Sequence, residues 1–310
     1  MKNTLYAGFM LVLLLLPTYK LAHSAEAKPK LVTTLHPIGL IAAEIIGSSE
    51  NITVLIQPGN TPHHYQLKPS HVKALNDADL VIWVGNSLEM FMRKPISQLS
   101  QKNTVITLDE ISELTRLEYR ANALWTDHNH DNHAHDHVSN IDGHLWLSAS
   151  NAIIIAELIE QRLSSLNPER TTLFQTNLAV FIEKTRQLDQ KIQKAMTPYK
   201  NTPFLVYHDA FHYFESRYAL NSLGTFITEG SQSLSAKRLR SLNKLIETNR
   251  IKCIFSDQQY NSSLPKKVAA HTGAKVVTLD PIGSTINVEN GGYRRLLETI
   301  SKNMLSCFSE

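Results

Sequence analysis

A chain of 310 residues, 42% hydrophobic and 19% charged, carries enough apolar material for about two globular domains. Its formal net charge of +3, from 31 basic and 28 acidic side chains, offers no basic face of the size nucleic acid requires, and no nucleic-acid-binding motif occurs. No segment after the N-terminal region is apolar and long enough to span a bilayer.

The N-terminus reads as an export signal. Lys2 precedes the apolar run LYAGFMLVLLLLP, and small residues follow in AHSAEA, so residues 1–25 are expected to be a cleaved signal peptide, with cleavage after Ser24, Ala25 or Ala27. The segment has no cysteine for a lipid anchor, so the mature chain is expected free in a Gram-negative periplasm. Cys253 and Cys307 are the two cysteines of an exported chain and are expected to pair. Closing such a loop would stabilise the fold by roughly 4 kcal/mol on a chain-entropy argument. Two separate buried thiols are the alternative, and no close C-x-x-C spacing points to a metal.

In chain order, β-branched apolar runs at 30–35, 52–57, 78–85 and 104–109 read as strands, separated by helical patterns. These are IGLIAAEII, ended by Gly47; PSHVKALNDA, with Ser70 placed to cap it; and NSLEMFMRKPISQL after Gly85. That alternation predicts a parallel α/β sheet. Residues 110–143 lack apolar periodicity and read as a surface loop, with a His-rich part at 126–138. A helix opened by Ser148 or Ser150 follows. Asn167-Pro168 then starts a longer one over 167–196, with Phe174, Leu178, Phe181, Ile182, Leu188 and Ile192 at helical spacing.

A second strand set at 204–209, 223–228, 251–257 and 274–280 repeats the plan. VITLDEI at 105–111 and VVTLDPI at 276–282 even resemble each other. The expected architecture is α/β: an N-terminal lobe over 28–165 and a C-terminal lobe over 201–310, each a four-stranded parallel sheet flanked by helices. The 167–196 helix joins them as a rigid link, with a metal site in the cleft between lobes.

Ligands of open parallel sheets sit beyond the carboxyl ends of the strands. The polar residues expected there are His36, His63, His64, His208, Asp209 and Asp280, with His144 at the start of the next helix. Imidazole nitrogens and carboxylate oxygens are zinc ligands, and His63, His144, His208 and Asp280 would make a four-coordinate set. Their spacings of 81, 64 and 72 residues form no local motif, so only the fold could assemble them. Each has a plainer reading too: His36 as cleft wall, His64 as solvated or an alternate ligand, His71 and His271 as exposed, His212 as sharing a helix face with His208 or simply packing.

The motifs QPGNTPHHYQLKPS (57–70), ADLVIWVGNSLEMFMRKPI (78–96), DGHLWLSASNA (142–152), YHDAFHYF (207–214) and LDPIG (279–283), in that order, carry a resemblance. From about residue 30 to its end, the chain is similar to the metal-binding components of ABC uptake transporters, the cluster A-I solute-binding proteins. The resemblance implies two lobes, a stiff linking helix and only slight closure on metal. It implies zinc ligands at His63, His144 and His208, with Asp280, His64 or water in fourth place. A glutamate that some zinc-type members carry just before the first ligand histidine is replaced here by Pro62. It also implies a high-affinity zinc uptake role with Zn2+ as cargo, and no enzymatic activity. The implied partners are an inner-membrane ABC permease with its cytoplasmic ATPase and a small periplasmic zinc chaperone, the chain itself being a monomer.

Three neutral imidazoles favour zinc over manganese, which prefers more oxygen ligands; manganese uptake is the alternative within transport. A zinc hydrolase is the alternative outside it, but the chain has no H-E-x-x-H, no G-x-S-x-G and no general base placed beside the ligands. A secondary role in adhesion to a host surface leaves no mark in the sequence.

The stretch DHNHDNHAHDH, residues 127–137, holds five histidines and three aspartates. His128, His130, His133, His135 and His137 are expected to form an accessory metal site, because ordering a flexible polar loop costs about 1–2 kcal/mol per fixed residue while ligands on strand ends are already held. Deleting residues 127–137 should therefore leave one tightly bound zinc per chain in a chelator-competition titration. Loss of tight binding would move the principal site into the loop.

Overall fold

The computed structural model describes residues 29–100, 103–120, 124, 140–227 and 234–309, apart from the side chain of His64. The signal-peptide expectation and the five loop histidines lie outside the described residues. No helix among the described residues is long and apolar enough to cross a membrane.

Each half of the chain builds one parallel sheet by the same route. In the first, β1 (Leu31–Thr33), α1 (His36–Ile46), β2 (Ile52–Val54), α2 (Pro69–Asp77), β3 (Leu80–Trp83), α3 (Arg93–Ser97) and β4 (Thr104–Thr107) give the strand order β2-β1-β3-β4. After α4 (Ala149–Leu166) and α5 (Thr171–Met196), the second half follows with β5 (Pro203–His208), α6 (His212–Tyr218), β6 (Asn221–Ile227), α7 (Ala236–Asn249), β7 (Cys253–Asp257), α8 (Ser263–Thr272), β8 (Lys275–Leu279) and α9 (Gly292–Phe308). Its strand order is β6-β5-β7-β8, the same permutation. All pairings are parallel, and each chain path reverses direction across the sheet at its two central strands, β1/β3 and β5/β7. Such a reversal opens a crevice at the carboxyl ends of those strands.

Local chemistry accounts for most boundaries. Pro37 stands in the first turn of α1, where its missing N–H costs nothing, and Gly47 ends that helix in the left-handed region at φ 78°. Ser148 caps α4 by accepting from the Asn151 N–H at 3.2 Å. Two expectations fail. Ser70 is not a cap, because α2 begins one residue earlier at Pro69, whose fixed φ suits the first helical position. The long helix expected after Gly85 shrinks to a 3-10 turn at Met90–Met92 and the five residues of α3. Residues 85–89 form a buried loop instead, in which the Val84 N–H donates to Glu89 Oε2 at 2.6 Å and the Ser87 N–H to Asp109 Oδ2 at 2.9 Å. Burial pushes the Glu89 carboxyl up to about 7, against its hydrogen bonds with Thr34, Val84 and Gly85.

α5 runs for 26 residues, about 39 Å at 1.5 Å per residue, with 3-10 turns at Pro168–Arg170 and Thr197–Tyr199 extending its ends. Phe174, Phe181, Leu188 and Ile192 are buried along one stripe, and Thr185 is buried among them. They join a hydrophobic core that includes Leu31, Ile41 and Ile82 of the first half and Phe204, Phe255 and Leu297 of the second. Fully burying such side chains contributes about 1.5–3 kcal/mol each, so parting the lobes would expose shared core. Polar ties reinforce it: Trp146 Nε1 donates to the Pro281 carbonyl at 2.7 Å, Tyr293 Oη donates to the Trp146 carbonyl at 2.7 Å, and Arg294 pairs with Glu44. Cys253 at the head of β7 is bonded to Cys307 near the end of α9, as expected.

Gly85 turns the chain at φ 130°, and a Cβ there would fall 2.0 Å from Asp109 Oδ1. Gly85→Ala should cost about 3 kcal/mol or more, combining backbone strain with overpacking. Urea unfolding checks this; a loss under about 0.5 kcal/mol, the range of ordinary surface changes, would contradict it.

Candidate metal centre

Three imidazoles meet at the carboxyl ends of the strands. His63 lies in a 3-10 turn, Pro62–His64, on the connection from β2 to α2, with its N–H directed at Thr61 Oγ1. His144 directly precedes a 3-10 turn, Leu145–Leu147, that leads into α4. His208 ends β5. One ligand nitrogen from each lies within 4.8 Å of the other two, and this is the one His/Cys/Asp/Glu cluster of that kind among the described residues. Ring centroids are 4.9 Å apart for His63–His208, 5.2 Å for His144–His208 and 5.6 Å for His63–His144. His144 and His208 are buried, and His63 is half-buried.

Carboxylates orient two of the rings. His144 Nδ1 is 2.7 Å from Asp142 Oδ1, and His208 Nδ1 is 3.2 Å from Asp257 Oδ2. A carboxylate only accepts, so each Nδ1 carries the proton and donates, and Nε2 keeps its lone pair for a metal. Asp257 ends β7, the strand beside β5, so the second pair spans the central crevice of the C-terminal sheet. Burial alone would raise the Asp142 carboxyl. The charge and hydrogen bonds of His144, together with His212, hold it well below the usual carboxylate range, at about 2. This contribution to stability is therefore complete above about pH 4 and is lost as pH falls through about 2.

The donor set fits zinc. With Zn–N bonds of about 2.0–2.1 Å, tetrahedral ligand nitrogens stand about 3.3 Å apart, so nitrogens within 4.8 Å of one another need to approach by at most about 1.5 Å. Three neutral imidazoles bring no charge, and Asp142 and Asp257 place two negative charges directly behind them, which balances a dication. Trp146 and Tyr260 pack with tilted rings near the site, 5.4 Å from His144 and 5.2 Å from His208 between ring centroids.

The other expected residues stand apart. Asp280 is not among the converging groups. Its Oδ1 accepts from the Ile282 and Gly283 N–H groups at 3.1 and 3.0 Å, and its Oδ2 from the Ser284 N–H and Oγ at 2.6 Å. Four donors tie this carboxylate, one of the candidates for the fourth place, to its own turn. His36 is buried at the start of α1 and bonds the Ile286 carbonyl at 2.7 Å; burial pulls its pKa down. His71 Nδ1 accepts from the Lys68 N–H, and His271 is exposed. His212 starts α6 rather than sharing a helix with His208, and its Nδ1 lies 3.7 Å from Asp142 Oδ2. Sequence reasoning missed the roles of Asp142 and Asp257. An Asp two residues before a ligand histidine was a usable signal for the first, whereas the second, 49 residues from His208, left none.

The family model for the periplasmic zinc-uptake complex component A (ZnuA) matches residues 31–307. The high-affinity zinc uptake system protein ZnuA of Yersinia pestis is 32% identical, over 95% of this chain and 94% of that protein. The protein of the same name from Haemophilus ducreyi is 30% identical, over 92% of this chain and 94% of its own length. Among solved structures, a crystal structure of ZnuA superimposes with a TM-score of 0.76 at 23% identity, covering 91% of this chain and all of that one.

Asp142→Asn keeps the size of the carboxylate but removes its charge and replaces one acceptor oxygen with an NH2 donor. Zinc affinity, measured by chelator competition, should fall on the order of 10- to 100-fold. Unchanged affinity would mean that the carboxylate does not tune His144.

Proposed function

Because this chain belongs to the family of periplasmic zinc-uptake complex component A proteins, we propose that it captures Zn2+ in the periplasm and hands it to an inner-membrane ABC permease driven by a cytoplasmic ATPase. The observation that carries the reading is the convergence of His63, His144 and His208 from two lobes onto one point. We assign these three as the ligands and leave the fourth position to water, since the Asp280 carboxylate is held in its turn. Zinc is here the transported substrate, bound and released without change. The fold supports no large hinge motion, because one hydrophobic core runs through both halves. Release to the permease then proceeds through movement of the half-buried His63 turn rather than through separation of the lobes.

In this reading the chain works as a monomer after its signal peptide is removed, and a small periplasmic zinc chaperone is a second partner. The loop histidines His128, His130, His133, His135 and His137 serve as an accessory collector. Manganese is disfavoured by the all-nitrogen ligand set. Hydrolysis is disfavoured because Asp142 and Asp257, the carboxylates bonded to the ligand rings, are engaged in orienting imidazoles.

One tight zinc per chain is expected by equilibrium titration, lost in His208→Ala. A deletion strain should grow slowly in chelated medium and recover with the wild-type gene but not with the His208→Ala gene. Normal growth of the deletion strain would remove uptake as the function. Protons compete for the ligand nitrogens, so affinity should fall by at least about tenfold per pH unit below about pH 6. Affinity constant from pH 7.5 to 5 would contradict a three-histidine site.

A further inference from the structure

The chain on either side of residues 121–139 forms a short antiparallel ladder. The Tyr119 N–H donates to the Asn140 carbonyl at 3.0 Å, the Asp142 N–H to the Leu117 carbonyl at 2.8 Å, and Glu118 bridges Ile141 between them. One end of this ladder is Asp142, the residue that orients His144.

The ladder is fastened to the other lobe at two points. Tyr213, in the first turn of α6, accepts from the Leu117 N–H at 2.9 Å and donates to the Asp142 carbonyl at 2.8 Å, so its hydroxyl binds both strands at once. Arg120 makes the second fastening. Its Nε donates to Asp209 Oδ2 at 2.9 Å, its Nη2 pairs with Asp209 Oδ1, and its Nη1 donates to Glu215 Oε2 at 2.7 Å. Asp209 is the residue after His208. His144 and His208 are thus the two ends of one circuit, running through Asp142, the ladder, Arg120 and Asp209.

A buried ion-pair cluster is a poor source of net stability, because the charges give up their hydration to form it. Arg120 is only 18% exposed, Glu215 3% and Asp209 11%. What a planar guanidinium fork does supply is direction, since it meets a carboxylate in one plane and at one distance. Resting on the zinc-capture reading, we propose that Arg120 is a positioning residue of the metal site: its fork fixes Asp209, and with it the end of β5, against the ladder, and so sets the separation of the His144 and His208 imidazoles before metal arrives.

The test compares the full-length mature protein with Arg120→Gln, Arg120→Lys and Asp209→Asn. Zinc affinity is read by chelator competition, site geometry by the visible absorption of bound Co2+, and stability by thermal unfolding in chelator. Arg120→Gln should weaken zinc on the order of 10- to 100-fold and reduce the intensity of the tetrahedral Co2+ bands. Arg120→Lys should restore only part of both, because an ammonium is a point charge without the fork. If Arg120→Gln melts earlier yet keeps wild-type affinity and the wild-type Co2+ spectrum, Arg120 is only a structural tie and the inference is wrong. Should Arg120→Gln not fold, Arg120→Lys and Asp209→Asn decide the same question by the same two readouts. Wild-type protein that binds no zinc would instead overturn the zinc-capture reading itself.

Discussion

Two hydrogen bonds between a carboxylate and an imidazole organise this molecule's chemistry: Asp142 to His144 and Asp257 to His208. Each fixes a tautomer, a ring orientation and a negative charge in one contact. A ligand set of neutral imidazoles is otherwise a weak trap for a dication, because it offers lone pairs but no compensating charge. Placing the charges behind the rings leaves the protein's own ligands all nitrogen, which suits zinc, while still balancing the ion. The arrangement also fixes the neutral tautomer, with the proton on the nitrogen that faces the carboxylate and the lone pair on the nitrogen that faces the site.

Those contacts hold their geometry only if the elements bearing them cannot drift. His144 and Asp142 enter from the loop before α4, whereas His208 and Asp257 end strands of the C-terminal sheet. α5 and the shared core hold the two sets in register, and the ties from Trp146 to Pro281 and from Tyr293 to Trp146 pass close to the site. A cleft built this way is assembled before the ion arrives. The adjustment left for binding is of the order of an ångström in side-chain position, which a half-buried turn such as that of His63 can supply without disturbing the core.

The strands, the long helix and the disulfide were legible because each leaves a local or compositional trace: β-branched runs, an Asn-Pro start with a helical stripe, two cysteines in an exported chain. Strand-end position offered His63 and His208 among several candidates, and the family resemblance singled out the trio with His144, which stands before a 3-10 turn and not on a strand. The short α3 was not legible. NSLEMFMRKPISQL carries helical residue types, but the chain around Gly85 is held by Glu89, which accepts from the Val84 N–H, and by Asp109, which accepts from the Ser87 N–H, while the Leu88 and Glu89 N–H groups turn back to the Gly85 carbonyl. Asp280 was ambiguous in the sequence for a related reason. A strand-end aspartate is equally suited to a metal and to a turn of free N–H groups, and here the turn at 281–284 has claimed it.

The sequence by itself determined the fold class, the repeat of one strand-helix plan in two halves, and the residue types available for the site. Periodicity, capping and strand-end position act over a few residues, so they survive in a linear reading. Only the tertiary structure decided which carboxylate stands behind which imidazole, that Asp280 faces its own backbone, and that Arg120 reaches Asp209 across 89 positions of chain. These choices depend on the packing of α4, α5 and α6 against two sheets. A hydrogen bond between groups 49 or 89 residues apart has no local pattern to announce it.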